Sequence, residues 1–361
     1  MSSFRHGLVV GKFYPFHAGH RQLILTAISR CERVTVQVLH SGVESIPGPV
    51  RADWIREEHP GVNVVDARDD HPVDFDDPHA WTVHMRVIER LLTSPVDAVF
   101  SSDDYGAELA RRLTAHWVPV DPGRALVPMS GTAARADIGA SWWALPTPVR
   151  AWFCRRVVVV GAESTGTTTL ARGLGERFGV PWVAEFGREW SMLRPGGLAA
   201  PWHTSEFDLV AMEHERREVE AMRRTPRPLV ISDTDVLATT LWHERYLGSR
   251  SPSVAERARR WRPDLYLLTG DEIAFEQDGL RDGEHLRHPM HRRFRQVLSG
   301  SGVPWVELRG GHEERLATAV AEIERLLARG WRLAAPLGED RSAVSPPRDA
   351  DGGAPCHACG A

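Results

Sequence analysis

Apolar residues fall into two spacings along this chain, and the spacings alternate. Leu8 to Val10 is a short buried run, and Ile24, Ala27, Ile28 and Cys31 follow it at the i, i+3, i+4, i+7 spacing of a helix laid on a sheet. Val34 to Leu39 then predicts a strand, Arg51, Trp54 and Ile55 begin a helix, and Val62 to Val65 predicts another strand. A helix over Ala80 to Leu92 precedes strands at Asp97 to Phe100 and Trp117 to Val120. This is the pattern of a parallel sheet with helices on both faces. The stretch from Gly139 to Trp152 has three tryptophans, Pro146 and Pro148 but no period, which predicts a linker packed down by Trp142 and Trp143. Val157 to Val160 opens a second round, with a helix over Leu170 to Phe178, a strand over Leu229 to Asp233, a last strand over Val303 to Leu308 and a closing helix over Glu313 to Leu327. After Arg332 the composition turns to Pro, Asp, Ser and Gly, as in a disordered tail. The expected architecture is therefore α/β, two doubly wound parallel-sheet domains over 1–148 and 153–332 with a tail over 333–361. A chain of 361 residues is long enough for two cores.

Charge and cysteine content narrow the function classes. A net charge of −4 gives no basic field, so no nucleic-acid partner is expected. No apolar run approaches the roughly 20 residues that span a bilayer, and the N-terminus has no signal-peptide pattern. The expectation is a cytoplasmic protein without a membrane partner, with oligomeric state left open, homo-oligomers included. Cys356 and Cys359 supply only half of a tetrahedral zinc site, and Cys31 and Cys154 read as core fillers.

The first strand runs into Gly11-Lys12-Phe13-Tyr14-Pro15-Phe16-His17-Ala18-Gly19-His20. Backbone N–H groups at a helix start carry partial positive charge and suit phosphate. His17 and His20, three residues apart, add ring donors on one side of the first turn. Lys12 is the only lysine in the chain, a compact ammonium suited to phosphate. Later, Ser130, Gly131, Thr132 and Arg135 place a helix cap, hydroxyls and a forked guanidinium where a second phosphate contact would sit.

The second domain opens on Gly161-Ala162-Glu163-Ser164-Thr165-Gly166-Thr167-Thr168-Thr169, a G-x-x-x-x-G-K-[ST] frame in strand–loop–helix context. Thr167 stands where the lysine belongs, while Thr168 keeps the hydroxyl that would meet Mg²⁺. Asp233 ends an apolar strand in the manner of a magnesium ligand acting partly through water. Glu185, read as the end of a short strand, is a candidate proton acceptor for a sugar hydroxyl, and Phe186 a candidate stacking surface. Arg281, Arg287, Arg292 and Arg293 read as an arginine-bearing lid over transferred phosphate.

These motifs, in this order, carry a resemblance. The His-Ala-Gly-His turn resembles the H-x-G-H signature of the nucleotidyltransferases, and Ser130 to Arg135 their I-S-x-T-x-x-R motif. With Val120-Asp121-Pro122, the Gly161 loop, Glu185-Phe186-Gly187-Arg188-Glu189, Asp233-Thr234-Asp235 and Asp278-Gly279-Leu280-Arg281, residues 5 to 330 resemble the bifunctional nicotinamide-mononucleotide adenylyltransferase and ribosylnicotinamide kinase family. The resemblance implies a Rossmann-like nucleotidyltransferase followed by a P-loop kinase. It implies ATP and Mg²⁺ as cofactors and nicotinamide mononucleotide and nicotinamide riboside as substrates. It places Lys12, His17, His20, Arg135, Glu185 and Asp233 in catalysis. Gly11, Phe13, Ser130, Thr132, Gly161, Ser164, Gly166, Thr167, Thr168, Thr169, Phe186, Arg188, Asp235, Arg281 and Arg287 are implied to bind nucleotide, with Thr168 and Asp233 on the metal. Only a few residues precede the first strand, so the helix-turn-helix repressor domain of some members is not expected. Phe186 departs from a familiar tyrosine. Thr167 departs from the loop lysine, which sets a nucleotide-sensing or assembly module beside the kinase as the competing expectation. A different phosphorylated acceptor is the other alternative.

Overall fold

A computed structural model describes residues 4–197, 199–279 and 283–338. In chain order the first unit comprises Phe4–Gly11 (β1), Ala18–Arg30 (α1), Cys31–His40 (β2), Gly48–Glu58 (α2), Asn63–Arg68 (β3), Pro78–Arg90 (α3), Ala98–Ser101 (β4), Tyr105–Arg112 (α4), His116–Pro119 (β5) and Gly131–Ala136 (α5). After a 3-10 turn at Trp142–Ala144, Thr147–Phe153 (α6) leads into Arg155–Val160 (β6) and Thr167–Phe178 (α7). Then come Trp182–Val183 (β7), Phe186–Leu193 (α8), Thr204–Arg224 (α9), Leu229–Asp233 (β8), Val236–Leu247 (α10), Pro252–Arg260 (α11), Leu265–Thr269 (β9), Glu284–Ser301 (α12), Trp305–Leu308 (β10) and His312–Ala328 (α13).

Both sheets are five-stranded and parallel, ordered β3-β2-β1-β4-β5 and β10-β9-β6-β8-β7. In each the first strand lies at the centre: Val9 pairs with Val36 and Phe100, and Val159 with Asp233 and Leu267. Central strands bury both faces, which is why β1 and β6 read as continuous apolar runs rather than alternating ones. Ligands of such sheets bind beyond the carboxyl ends of the strands, at the point where strand order reverses. The turns after β1 and β6, which carry the two glycine-bearing motifs, both lie there.

The linker is helical where no period was visible. Pro148 fits the first turn of α6, where its missing N–H is no loss. Trp142 is buried and donates Nε1–H to the Thr225 carbonyl at 2.9 Å, whereas Trp143 is 57 % exposed and holds nothing down. Val149, Phe153 and Cys154 join an apolar cluster that runs from Val36 and Ile55 to Val183, Met222 and Val230, so the two sheets share packing across α6. Glu185 does not end a strand; it sits at the N-cap of α8, two residues past β7. The stretch 333–338, assigned to a disordered tail by composition, is held: the Ala334 N–H donates to Ser45 Oγ at 2.8 Å and its carbonyl accepts from the Tyr14 hydroxyl at 3.0 Å. The rest of that tail and Arg281 lie outside the described residues. Among the described residues no helix is long and apolar enough to cross a membrane.

Candidate active sites

The first site is built on the β1–α1 turn. His17 is the N-cap of α1, and its Nδ1 accepts from the N–H groups of Gly19 at 3.1 Å and His20 at 3.4 Å. An acceptor Nδ1 places the ring proton on Nε2, and that buried nitrogen has no partner among the described residues. His20 Nδ1 is orphaned in the same way, and the two rings stack with centroids 3.7 Å apart. Burial, then the charges of Arg124 and Arg135, push His17 down to about 4; burial and His17 lower His20 as well. At neutral pH both rings are uncharged, and the His17 N–H is available to an incoming acceptor.

Around them, Gly11, Lys12, Phe13, Ser130, Thr132 and Arg135 line a cleft of two adjoining lobes, about 200 Å³ and 540 Å³, that share Gly11, Lys12 and Ser130 in their walls. Ser130 caps α5, its hydroxyl accepting from Ala133 N–H at 3.1 Å. Arg135 donates to the Tyr14 carbonyl at 2.6 Å and to Thr132 Oγ1 at 3.1 Å, which aligns the guanidinium along the cleft wall. Lys12 is tied down: its Nζ lies 3.0 Å from Glu44, whose other oxygen takes a 2.6 Å bond from the buried Arg51. Although burial works against it, the two cations hold the Glu44 carboxyl below its usual range. Sequence reasoning missed Arg124, which pairs with Asp103 at 2.6 Å, and Tyr105, which stacks on Phe75 at 5.2 Å in the larger lobe. A lone arginine in a loop and two aromatics 30 positions apart leave no periodic signal. Ser101 to Asp103, at the end of β4, lie at the same sheet edge.

The second site surrounds the β6–α7 turn. Gly166 is left-handed at φ +83°, and a Cβ at Gly161 would strike the hydroxyls of Thr165 and Thr269, so both glycines are demanded by the turn. Thr168 Oγ1 donates to Asp233 Oδ2 at 2.5 Å, while the buried Oδ1 has no partner among the described residues. An orphaned carboxylate oxygen beside a threonine hydroxyl fits Mg²⁺, a hard cation that takes oxygen ligands. Burial, and next the Asp233 charge, push Glu185 up to about 8; burial raises Asp233 too. Ser164, Thr167, Thr169 and Arg188 line the same cavity, about 190 Å³. Arg188 pairs with Asp278.

Three expected residues stand elsewhere. Phe186 is buried beneath the Arg217 guanidinium, 4.5 Å from its ring centre, and does not line the cavity. Asp235 caps α10 through Ala238 N–H at 3.0 Å and accepts from the Tyr266 hydroxyl at 2.6 Å, so both its oxygens serve the fold. Arg287 is buried and donates to the carbonyls of Asp271, at 2.5 Å, and Ile273; it shapes the loop after β9 rather than facing phosphate. Arg293, grouped with the same lid, pairs with Glu244. The aromatic wall comes instead from Trp202, Phe207, Trp242 and Tyr246, with Trp202 and Tyr246 rings 5.2 Å apart. Beneath the loop the buried Arg315 donates to the Thr165 carbonyl at 2.8 Å and to Glu272 at 2.7 Å.

Two parallel sheets, each with a phosphate-type turn at its central strand, define a two-unit α/β protein with two candidate phosphate sites. Comparison narrows the class. Residues 156–315 match the family described as AAA domain. The chain is 27% identical over 296 residues to the trifunctional NAD biosynthesis/regulator protein NadR of Escherichia coli (strain K12), covering 76% of this chain and 71% of that protein. The protein of the same name from Salmonella typhimurium is 26% identical over the same shares. Two NadR crystal structures, one in complex with NR (TM-score 0.67, 20% identity) and one with NAD and AMP-PNP (TM-score 0.69, 21% identity), each match 91% of this chain and 97% of their own. The resemblance carried by the motifs is matched by these comparisons: the chain is similar to NadR proteins, and the doubly wound fold of both units is that of the solved NadR structures.

Proposed function

We propose that the first unit, residues 1–148, transfers an adenylyl group from ATP to nicotinamide mononucleotide, giving NAD and pyrophosphate. The second, residues 153–332, phosphorylates nicotinamide riboside with ATP to supply that mononucleotide. The observation that carries this reading is the pairing, in one chain, of the neutral stacked His17–His20 turn with the Glu185–Asp233–Thr168 cluster, each at the carboxyl edge of a parallel sheet. The NadR relatives, named for NAD biosynthesis, and the NadR structures holding NR and NAD support the choice of substrates.

In the first site the attacking group is a phosphate oxygen, already anionic, so no general base is required. His17 and His20 donate to the triphosphate, and Arg135 and Lys12 offset charge that builds on the leaving pyrophosphate. In the second, Glu185 lines the cavity and in its ionised form takes the proton of the riboside hydroxyl, its raised pKa making that form a stronger base. Thr168 and Asp233 would hold Mg²⁺, which neutralises charge on the β- and γ-phosphates. The Trp202–Tyr246 wall suits the flat ring of the riboside.

Product analysis of the intact protein tests this. With ATP, Mg²⁺ and nicotinamide riboside it should form ADP, pyrophosphate and NAD; with the mononucleotide, pyrophosphate and NAD alone. Thr167, in the lysine position, favours a second reading in which the second unit binds nucleotide without transferring phosphate. A wild-type protein that binds ATP but phosphorylates no riboside, with transfer appearing in Thr167→Lys, would replace the kinase by a sensor.

A further inference from the structure

The larger lobe of the first cleft is closed by residues that come from beyond the second sheet. After α13, Trp331 lies over Arg155, 4.8 Å from the guanidinium carbon, and edge-on to Phe153. The chain then crosses to the first unit, where Pro336, Leu337 and Gly338 form part of the wall of the 540 Å³ lobe, facing Lys12, Thr132 and Arg135. Pro336 is buried there. Gly338 adopts φ +84°, and a Cβ on it would lie 2.6 Å from the Val73 carbonyl oxygen, so its backbone is pressed against the loop after β3.

The crossing is fixed by a ring of three hydrogen bonds. The Ser45 N–H donates to the Tyr14 hydroxyl at 2.9 Å, that hydroxyl donates to the Ala334 carbonyl, and the Ala334 N–H returns to Ser45 Oγ. Tyr14 is fully buried, its ring between the guanidinium groups of Arg51 at 4.9 Å and Arg135 at 5.3 Å. Its carbonyl accepts from Arg135. The segment that closes the lobe is therefore seated on the residue that orients Arg135.

We propose that residues 333–338 are a specificity element of the first site: a strap, supplied by the second unit and seated on Tyr14, that walls the larger lobe and makes it the lobe of the acceptor. This rests on the proposed adenylyl transfer. A cavity of this size suits a mononucleotide, and a wall that excludes water and is already ordered before binding raises affinity without touching the reacting atoms. Strap residues are positioning residues, so their loss acts on KM for the acceptor more than on kcat.

The test compares the full chain with one ending at Gly338 and one ending at Arg332, which keeps Trp331. Both reactions are assayed in each. The chain ending at Gly338 should match the full chain. The one ending at Arg332 should show KM for nicotinamide mononucleotide raised roughly tenfold or more, the equivalent of a few lost contacts, with kcat within about threefold and riboside phosphorylation unchanged. Tyr14→Phe should move KM in the same direction by less. Equal KM in all of them overturns the strap. Should the Arg332 chain lose both reactions through misfolding, Gly338→Val decides: it presses the strap off Val73 while leaving every other side chain, and an unchanged KM there overturns the inference. If the full chain makes no dinucleotide at all, the adenylyl-transfer reading fails instead. The strap is then judged by mononucleotide binding in a calorimeter, where equal affinity in the full and Arg332 chains overturns it.

Discussion

The two phosphate-type turns occupy equivalent places, each after the central strand of a five-stranded parallel sheet, yet their chemistry is opposite. The first turn and α5 carry neutral donors and cations, His17 and His20 uncharged and Lys12 and Arg135 held by Glu44 and the Tyr14 carbonyl, while Asp103 and Asp121 stand on the opposite elements of the cleft. The second sets carboxylates together, with half-buried Glu185 and buried Asp233 lining one cavity and both raised. A donor-lined pocket is at ease empty and attracts phosphate by itself. A carboxylate-lined one is strained electrostatically until a cation arrives. The same backbone solution thus gives one site that is ready and one that waits for metal.

The sharpest way to break this contrast is Asp233→Asn. It removes one of the two oxygens suited to Mg²⁺, so riboside phosphorylation should fall roughly a thousandfold or more while adenylyl transfer stays at wild-type rate. Because burial raises the Asp233 pKa, the same change should also increase the melting temperature without metal. Equal loss of both reactions would mean that the sites are not chemically separate. Next in size, His20→Ala should lower kcat of adenylyl transfer roughly a hundredfold with little change in KM, because its donor matters most as charge builds on the leaving group. Full activity in that variant would relocate the first site.

The smallest effect is the most diagnostic of the second site's electrostatics. Glu185 has a folded pKa near 8 against an ordinary 4.5, so the folded state keeps a proton that the unfolded state releases. Its contribution to stability is present below about pH 4.5 and is lost as pH rises toward 8. His17 opposes only at lower pH: its value near 4 against 6.5 costs stability as pH falls below about 6.5. Between roughly pH 6.5 and 8, melting without Mg²⁺ should therefore shift down with rising pH, by on the order of 2 °C or more for a unit of this size. Added Mg²⁺ or Glu185→Gln should flatten the slope. A slope unaffected by either places the titration elsewhere.

The sequence made the scaffold legible because β1 and β6 are buried on both faces and spell unbroken apolar runs, and because glycine is demanded where Gly161 and Gly166 stand. His17 and His20 were legible for the same local reason, a turn whose every residue is set by its neighbours. What escaped was tertiary. Asp235 and Arg287 have the residue types of ligand groups, but a helix cap and two loop carbonyls claim them. Phe186 faces Arg217 because α8 turns it away from the cavity, and the four aromatics that replace it come from loop and helix positions 40 or so residues apart. The strap, Leu333 to Gly338, is a short apolar stretch with a proline and no period, and its order comes from partners such as Tyr14 and Ser45, more than 280 positions earlier.

The position of α6 has a further meaning for how the chain can be handled. Val149 and Phe153 belong to a cluster that holds residues of both units, and α6 packs on α2 and α9, so the junction is not a hinge but an interface joined covalently. Cutting the chain there would leave each half with a fresh apolar scar. Such surfaces seek partners. Halves made apart would be sticky, reassembling when mixed and precipitating when kept alone, so solubility would fail in the isolated pieces before either chemistry did.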